Sequence, residues 1–423
     1  MSNNYGMVER YLGSLLRRFP WIRKSSKIGY QRVSYFLSRK TPIDYGAFVS
    51  DTVKISDAET FFGYYDRSPV NSSGTHLLFH MSTRPTYKLP DPSEPINVVV
   101  KKISDNEEPI TYASSAYNWQ QGCRAHWLNN SEFIFNDFDW ESGEFVARIV
   151  NIENSEINRT VDFPVYESAE KIALSLNFNR LALFRPDYGY RNITKEGNYT
   201  LPDDNNDGVF ICDLVKNKKR LLISLSYLSK LCEVKTFDSH KVNHIMLNPS
   251  RSGFIFLYRY FVKGRKYDCL IFSDIRGKNI KMLSANEIVS HYCWISDTEV
   301  VAYMKGPDQR ERYYLVSTDV GTIELFGKGY IDKYGDGHPS FINGLLIFDT
   351  YPDKARNKKL LVFNTNSDRV TEIGNFYESF RFYGETRCDL HPRILENTNK
   401  ISVDSVHEGK RQMYLIELNP SEL

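Results

Sequence analysis

The sequence predicts an all-β protein, a seven-bladed β-propeller preceded by a short basic amphipathic N-terminal helical segment. Three observations lead there. Past residue 60 no long stretch repeats its apolar residues with a helical period; short β-branched and aromatic runs alternate with Gly, Asn, Asp and Ser instead. One unit recurs: an apolar anchor, a polar turn such as NSSG or NPSRSG, a strand, a loop and a second strand. It recurs seven times, with anchors 57, 47, 73, 47, 47 and 53 residues apart, lengths that suit four-stranded blades with variable loops. Radial packing would also cover the edges that so many short strands otherwise expose.

Two regions follow from this, 1–45 as the N-terminal segment and 46–423 as the propeller. Residues 1–40 hold nine Lys and Arg against one acid, Glu9, so the remaining chain is net acidic although the whole carries +2. Val8, Tyr11, Leu12, Leu15, Leu16 and Phe19 fall at helical spacing, and Trp21, Ile22, Tyr35, Phe36 and Leu37 continue the mixture of aromatic and basic residues. Such a segment suits an anionic membrane surface, or alternatively a helix packed on the domain with a solvated basic face. Nucleic acid is not an expected partner, because the propeller is acidic and carries no recognition motif.

With no apolar run of membrane-spanning length and no secretory signal, the expected location is cytoplasmic, peripheral to the inner membrane if the basic segment binds lipid. The six cysteines include no C-x-x-C pair and read as core residues.

The anchors are Val70, Trp127, Leu174, Leu247, Trp294, Phe341 and Ile394. The strands after them read HLLFH, EFIFND, LALFR, FIFLYR, VVAYMK, LLIFDT and KISVDS, each followed by a second apolar strand. SDTVKIS, near residues 50–56, is expected to complete the last blade. DDNNDG, from Asp203 to Gly208, matches half of a calcium loop but lacks its terminal Glu, and reads as a hairpin turn.

Three residues before each anchor stand Arg67, Arg124, Lys171, His244, His291, His338 and His391, all cationic or imidazole. In a propeller these positions lie near the axis on one face. Seven such groups sharing a cavity imply an anionic ligand such as a uronate, a phosphate or a sugar nucleotide, and neutral imidazoles on adjacent blades suit Mn²⁺, Fe²⁺ or Zn²⁺. Strand ends add Arg185, Arg259 and Lys305 to Arg67, Arg124 and Lys171 as expected substrate contacts, and Tyr64, Tyr65, Tyr188 and Tyr351 offer flat faces either for sugar rings or for packing between blades. The four histidines are the expected catalytic set.

HPSFINGLLIFDTYP and DLHPRILENTNKISVDSVHEGKRQMYLIEL resemble the TolB-like propeller repeat, and specifically oligogalacturonate lyases. The resemblance implies a seven-bladed enzyme that cleaves uronate oligosaccharides by β-elimination, with a divalent metal held in the final blades by histidines and a glutamine. The lyase pattern Gln-x-x-His-x-His-Pro aligns with Thr386-Arg387-Cys388-Asp389-Leu390-His391-Pro392, so Thr386 replaces the glutamine and Asp389 replaces one imidazole. The implied metal set is His291, His338, Asp389 and His391. FFGYYDRSP and NWQQGCRAHW resemble proteins encoded with bacterial capsule and O-antigen assembly enzymes, which implies work on a surface polysaccharide under construction. Lyase-like elimination on an anionic saccharide is the leading functional expectation. Transfer from a sugar nucleotide and non-catalytic glycan binding or scaffolding are the alternatives.

Overall fold

The structure, a computed structural model, describes residues 20–38, 49–55, 57–104, 108–192 and 200–418. Seven four-stranded antiparallel sheets form the seven blades of a propeller. Blade 1 spans Glu59 to Ser114, blade 2 His126 to Val161, blade 3 Glu167 to Ser224 and blade 4 Ser239 to Glu287. Blade 5 spans Val289 to Leu325 and blade 6 Ser340 to Tyr377. Blade 7 combines Arg393–Ile394, Lys400–Ser405 and Gln412–Glu417 with Val49–Val53, which pairs antiparallel to Gln412–Glu417 as its outermost strand. The expected closing strand therefore forms, and both ends of the described propeller share one sheet.

Near-continuous apolar strands follow from burial on both faces of each blade. In blade 6, Leu346, Phe348, Leu361 and Phe363 pack with Val301, Tyr303 and Tyr313 of blade 5. The alternate residues Ile347, Leu360 and Val362 pack with Ile401, Val403 and Tyr414 of blade 7. The two-residue period of a strand thus sends successive side chains to opposite neighbours, so both faces of a blade are predominantly apolar.

Buried charge reinforces the closure. Arg393 makes a two-pronged ion pair with Asp404 at 2.8 and 3.0 Å and donates to the Gly63 carbonyl at 2.9 Å. Arg411 donates to the Trp119 carbonyl at 3.1 Å and the Arg387 carbonyl at 2.9 Å, bridging blade 7 to the segment between blades 1 and 2. The six cysteines are buried free thiols.

Blade 3 departs from expectation. LALFR is not a strand: Phe178–Phe184 is a helix, started by Asn177, whose side chain accepts from the Arg180 N–H at 3.0 Å. The first two strands are Glu167–Ala169 and Ile172–Ser175, so the anchor Leu174 lies in the second strand, one strand later than the repeat predicts. The expected hairpin at Asp203 to Gly208 does not form: residues 204–206 turn into the strand Gly208–Asp213 at the end of the long connection that holds the helix, and Asp207 pairs with Arg180 at 2.7 Å. That helix, the turn segment and the helix Leu225–Leu231 account for the wide spacing after this anchor. Helix Pro20–Leu37 is the described part of the N-terminal segment; Val8 to Phe19 lie outside the described residues.

Candidate functional site

The innermost strand of several blades loses its regular pairing where the expected site residues stand. In blade 4 the ladder breaks between Asn243 and Met246, and His244 adopts a left-handed φ of 52°. In blade 5 it breaks between Val289 and Tyr292, around His291. His391 is left-handed at 47° just before the blade 7 strand, and His338 precedes the blade 6 strand. A left-handed or unpaired residue leaves the ladder, which lets its side chain turn toward the axis instead of toward a neighbouring blade.

Four imidazoles meet there. Ring centroids are 5.9 Å apart for His244 and His291, 4.1 Å for His291 and His338, and 4.3 Å for His338 and His391. Blade 1 fills the remaining arc with tyrosines. Tyr64 stacks on His244 at 5.3 Å with its hydroxyl on Nδ1, and meets His391 edge-on at 5.1 Å, while Tyr65 lies 5.4 Å from His338. All six side chains are buried, so Tyr64 and Tyr65 pack the ring and are not faces for a sugar.

The expected ring of seven is thus a ring of four histidines. Lys171 is exposed in the tight turn between the first two strands of blade 3, where the anchor Leu174 falls in the second strand instead of the first. Arg124 is buried against Asp66, at 2.9 and 3.1 Å, and the Tyr166 carbonyl. Arg67 is ion-paired to Glu167 and donates to the Ser168 carbonyl at 2.6 Å. A buried guanidinium needs a carboxylate to offset its lost hydration, and these two partners tie blades 1 to 3 together. Among the strand-end cations, Arg259 pairs with buried Asp268 close enough for its charge to bear on His244. Lys305 pairs with Glu287 at 3.2 Å on the blade 5 rim.

Arg185 does reach the mouth of the ring, 2.9 Å from Asp187 and 4.6 Å over the Tyr188 ring. It arrives as the cap of the blade 3 helix, not as a strand end. Beside it is Arg387, for which the sequence pattern predicts no role. Its guanidinium bonds Asp389 at 2.7 Å and Asp187 at 2.8 Å. Asp187 and Asp336 were also missed. Their only signal in the sequence is polarity within loops.

His338, Asp389 and His391 bring one ligand atom each within 4.8 Å of one another. His291 is not in that group; its Nδ1 faces Asp336 at 3.1 Å. Asp349 organises the pair, accepting from His338 Nδ1 at 2.9 and 3.0 Å and from the backbone N–H of His338 at 2.7 Å and of His391 at 3.1 Å. That contact directs the proton of a neutral His338 to Nδ1 and leaves the Nε2 lone pair toward the centre. The Nε2 atoms of His338 and His391 are buried without a hydrogen-bond partner. Two orphaned imidazole nitrogens beside a carboxylate form a donor set that fits a divalent cation.

Electrostatics match this arrangement. Burial disfavours the Asp389 carboxylate, yet Arg387, His338 and His391 hold its carboxyl far below the usual range. Burial also opposes a charged His338, but Asp349 overrides it and raises its basicity. His244 and His391 are pushed well down, first by burial and then by the neighbouring imidazoles His291 and His338 respectively. His291 is lowered by burial and His338, against the opposing pull of Asp336. Three neutral imidazoles therefore surround one that readily binds a proton or a metal.

Neither a protein-family model nor a curated protein matches the chain. Among solved structures, it is similar to an oligogalacturonate lyase from Vibrio parahaemolyticus, with 14% identity, TM-score 0.58, and coverage of 89% of this chain and 96% of that one. It is similar also to an oligogalacturonate lyase in complex with manganese, with 13% identity, TM-score 0.59, and coverage of 90% and 97%. At these identities the likeness establishes the propeller fold over nearly the whole of both chains.

Proposed function

We propose that the protein is a carbohydrate-active propeller that binds a divalent metal at His338, Asp389 and His391 and acts on an anionic saccharide by lyase-like elimination. The observation that carries this reading is the pair of orphaned, buried Nε2 atoms beside Asp389, under a mouth lined by Arg185 and Arg387. The manganese complex of a protein with the same fold supports a divalent ion of the Mn²⁺ class. Bound there, the cation would neutralise a substrate carboxylate and so acidify the adjacent C–H.

The remaining work falls to the chain. Arg387 and Arg185 attract the uronate, whose carboxylate takes over contacts now made by Asp187. A neutral imidazole, His291 in this reading, takes the proton from the carbon next to the carboxylate, and Asp336 steadies the imidazolium that results. The freed electron pair becomes a carbon–carbon double bond as the glycosidic C–O bond breaks, and the departing oxygen is protonated by water. The likeness of FFGYYDRSP and NWQQGCRAHW to proteins of capsule and O-antigen assembly favours a bacterial surface polysaccharide as substrate.

Purified protein is expected to hold one manganese per chain and to generate an unsaturated, ultraviolet-absorbing product from uronate oligosaccharides, and His291→Ala should stop product formation without releasing metal. Metal binding with no unsaturated product from any uronate polymer would overturn elimination in favour of transfer or binding alone.

A further inference from the structure

Helix Pro20–Leu37 presents an apolar stripe to solvent. Gly29, Arg32, Val33, Phe36 and Leu37 are its exposed residues from position 29 onward, at the spacing of one helix face. Val33, Phe36 and Leu37 are exposed by 58%, 79% and 82%. The opposite side is fastened to blade 6, where the Tyr35 ring lies 6.3 Å from Tyr377 and 5.4 Å edge-on to Phe380. Three large apolar side chains on an anchored helix invite a partner.

The charge of the surrounding sequence says which partner. The helix holds Arg23, Lys24, Lys27 and Arg32 and no acid, within a stretch of nine basic residues and one acid over 1–40. A groove on another protein would not require that uniform charge. A lipid surface with anionic headgroups takes both features, the apolar stripe into the headgroup boundary and the cations onto phosphates.

The attachment point also orients the disc. Tyr377 pairs with Asn357 at one end of blade 6, and Asp349 pairs with Leu360 at that same end. Asp349 holds His338 and His391, and the segment after Tyr377 runs through Phe380 and Tyr383 to Arg387. The helix therefore sits on the face of the disc that carries the mouth. We infer that the helix Pro20–Leu37 docks on an anionic membrane surface and holds the mouth of the histidine ring toward it, so that the saccharide reached is one displayed at the lipid surface. The orientation rests on reading the mouth as the active site; the docking does not.

Sedimentation of the full-length protein with vesicles, without any saccharide, tests it. The protein should pellet with phosphatidylcholine vesicles containing phosphatidylglycerol, pellet poorly with phosphatidylcholine alone, and lose binding as salt rises. Phe36→Glu with Leu37→Glu should weaken apparent binding by at least about tenfold. Val320→Glu, as exposed as Phe36 but in the turn at the opposite end of blade 5, should leave it unchanged.

A polarity-sensitive dye on Tyr383→Cys should respond to vesicles and one on Val320→Cys should not, the native thiols being buried. Equal binding to neutral vesicles, retained binding by the double variant, or a wild-type dimer that the double variant turns into a monomer would overturn the docking. An equal dye response at both positions would overturn the orientation alone. Failure of the proposed reaction would appear separately, as inactivity on soluble uronates with vesicle binding intact.

Discussion

Arg387 Nη1 lies 2.8 Å from Asp187 Oδ2, which joins the loop entering blade 7 to the segment after the blade 3 helix. Arg191 and Glu385 form a second ion pair between the same two segments. Together they strap the mouth from one side of the ring to the other, and they explain why four histidines beneath are nearly fully buried.

Asp187 competes with an anionic substrate for Arg387. Asp187→Asn is therefore expected to tighten binding of a uronate oligosaccharide by about tenfold, the size of one charge-assisted hydrogen bond. Arg387→Ala should weaken it by at least as much. Titration calorimetry on both variants measures the effect, and weaker binding by Asp187→Asn would mean that the pair positions Arg387 instead of restraining it.

Metal and proton compete for His338. Because Asp349 raises its basicity, manganese affinity should fall as pH drops through that raised value, with one proton released on binding below it and none above it. Asp349→Asn removes the partner that orients the ring and should cost about 10- to 100-fold in metal affinity. His338→Ala and His391→Ala should each abolish stoichiometric metal. Metal analysis after dialysis, repeated across pH, reads all three.

His80 is buried between Phe61, on which it stacks at 5.0 Å, and the Cys123 N–H, whose bond its Nε2 accepts at 3.2 Å. Gly122, with φ of 56°, keeps that approach open, since a Cβ there would lie 2.1 Å from the ring. Burial pushes its pKa from 6.5 down to about 4. Below pH 6.5 the unfolded chain binds a proton that the folded one does not, so stability falls as pH drops from about 6.5 toward 4, by roughly 3 kcal/mol from this group. Urea unfolding across that range should show a shallower decline for His80→Gln.

One buried ion pair reinforces closure of the ring. Arg393→Ala leaves Asp404 buried without its cation and should cost about 3–5 kcal/mol, whereas replacing both with apolar residues should cost less. Denaturant titration distinguishes the two, and a loss below about 1 kcal/mol for Arg393→Ala would show that Asp404 finds another partner.

The repeat, the number of blades, the closing strand and the four histidines were legible because each rests on local pattern: apolar alternation, turn residues, and a residue type recurring before an anchor. Blade 3 was not, because Asn177 starts a helix inside a segment whose composition also suits a strand. Arg67 and Arg124 carry the same charge as the residues expected to bind substrate, but Glu167 and Asp66 neutralise them, and no spacing along the chain announces partners 100 and 58 positions away.

The sequence by itself determined a seven-fold ring and the four histidines near its axis, since strand periodicity and turn chemistry act over a few residues. Only the tertiary structure decided which carboxylate each cation pairs with, where Arg387 crosses the mouth, and that His338 and His391 keep unpartnered nitrogens beside Asp389. Those outcomes depend on which charges from distant blades come within a few ångströms once water is excluded, and chain order does not encode that distance.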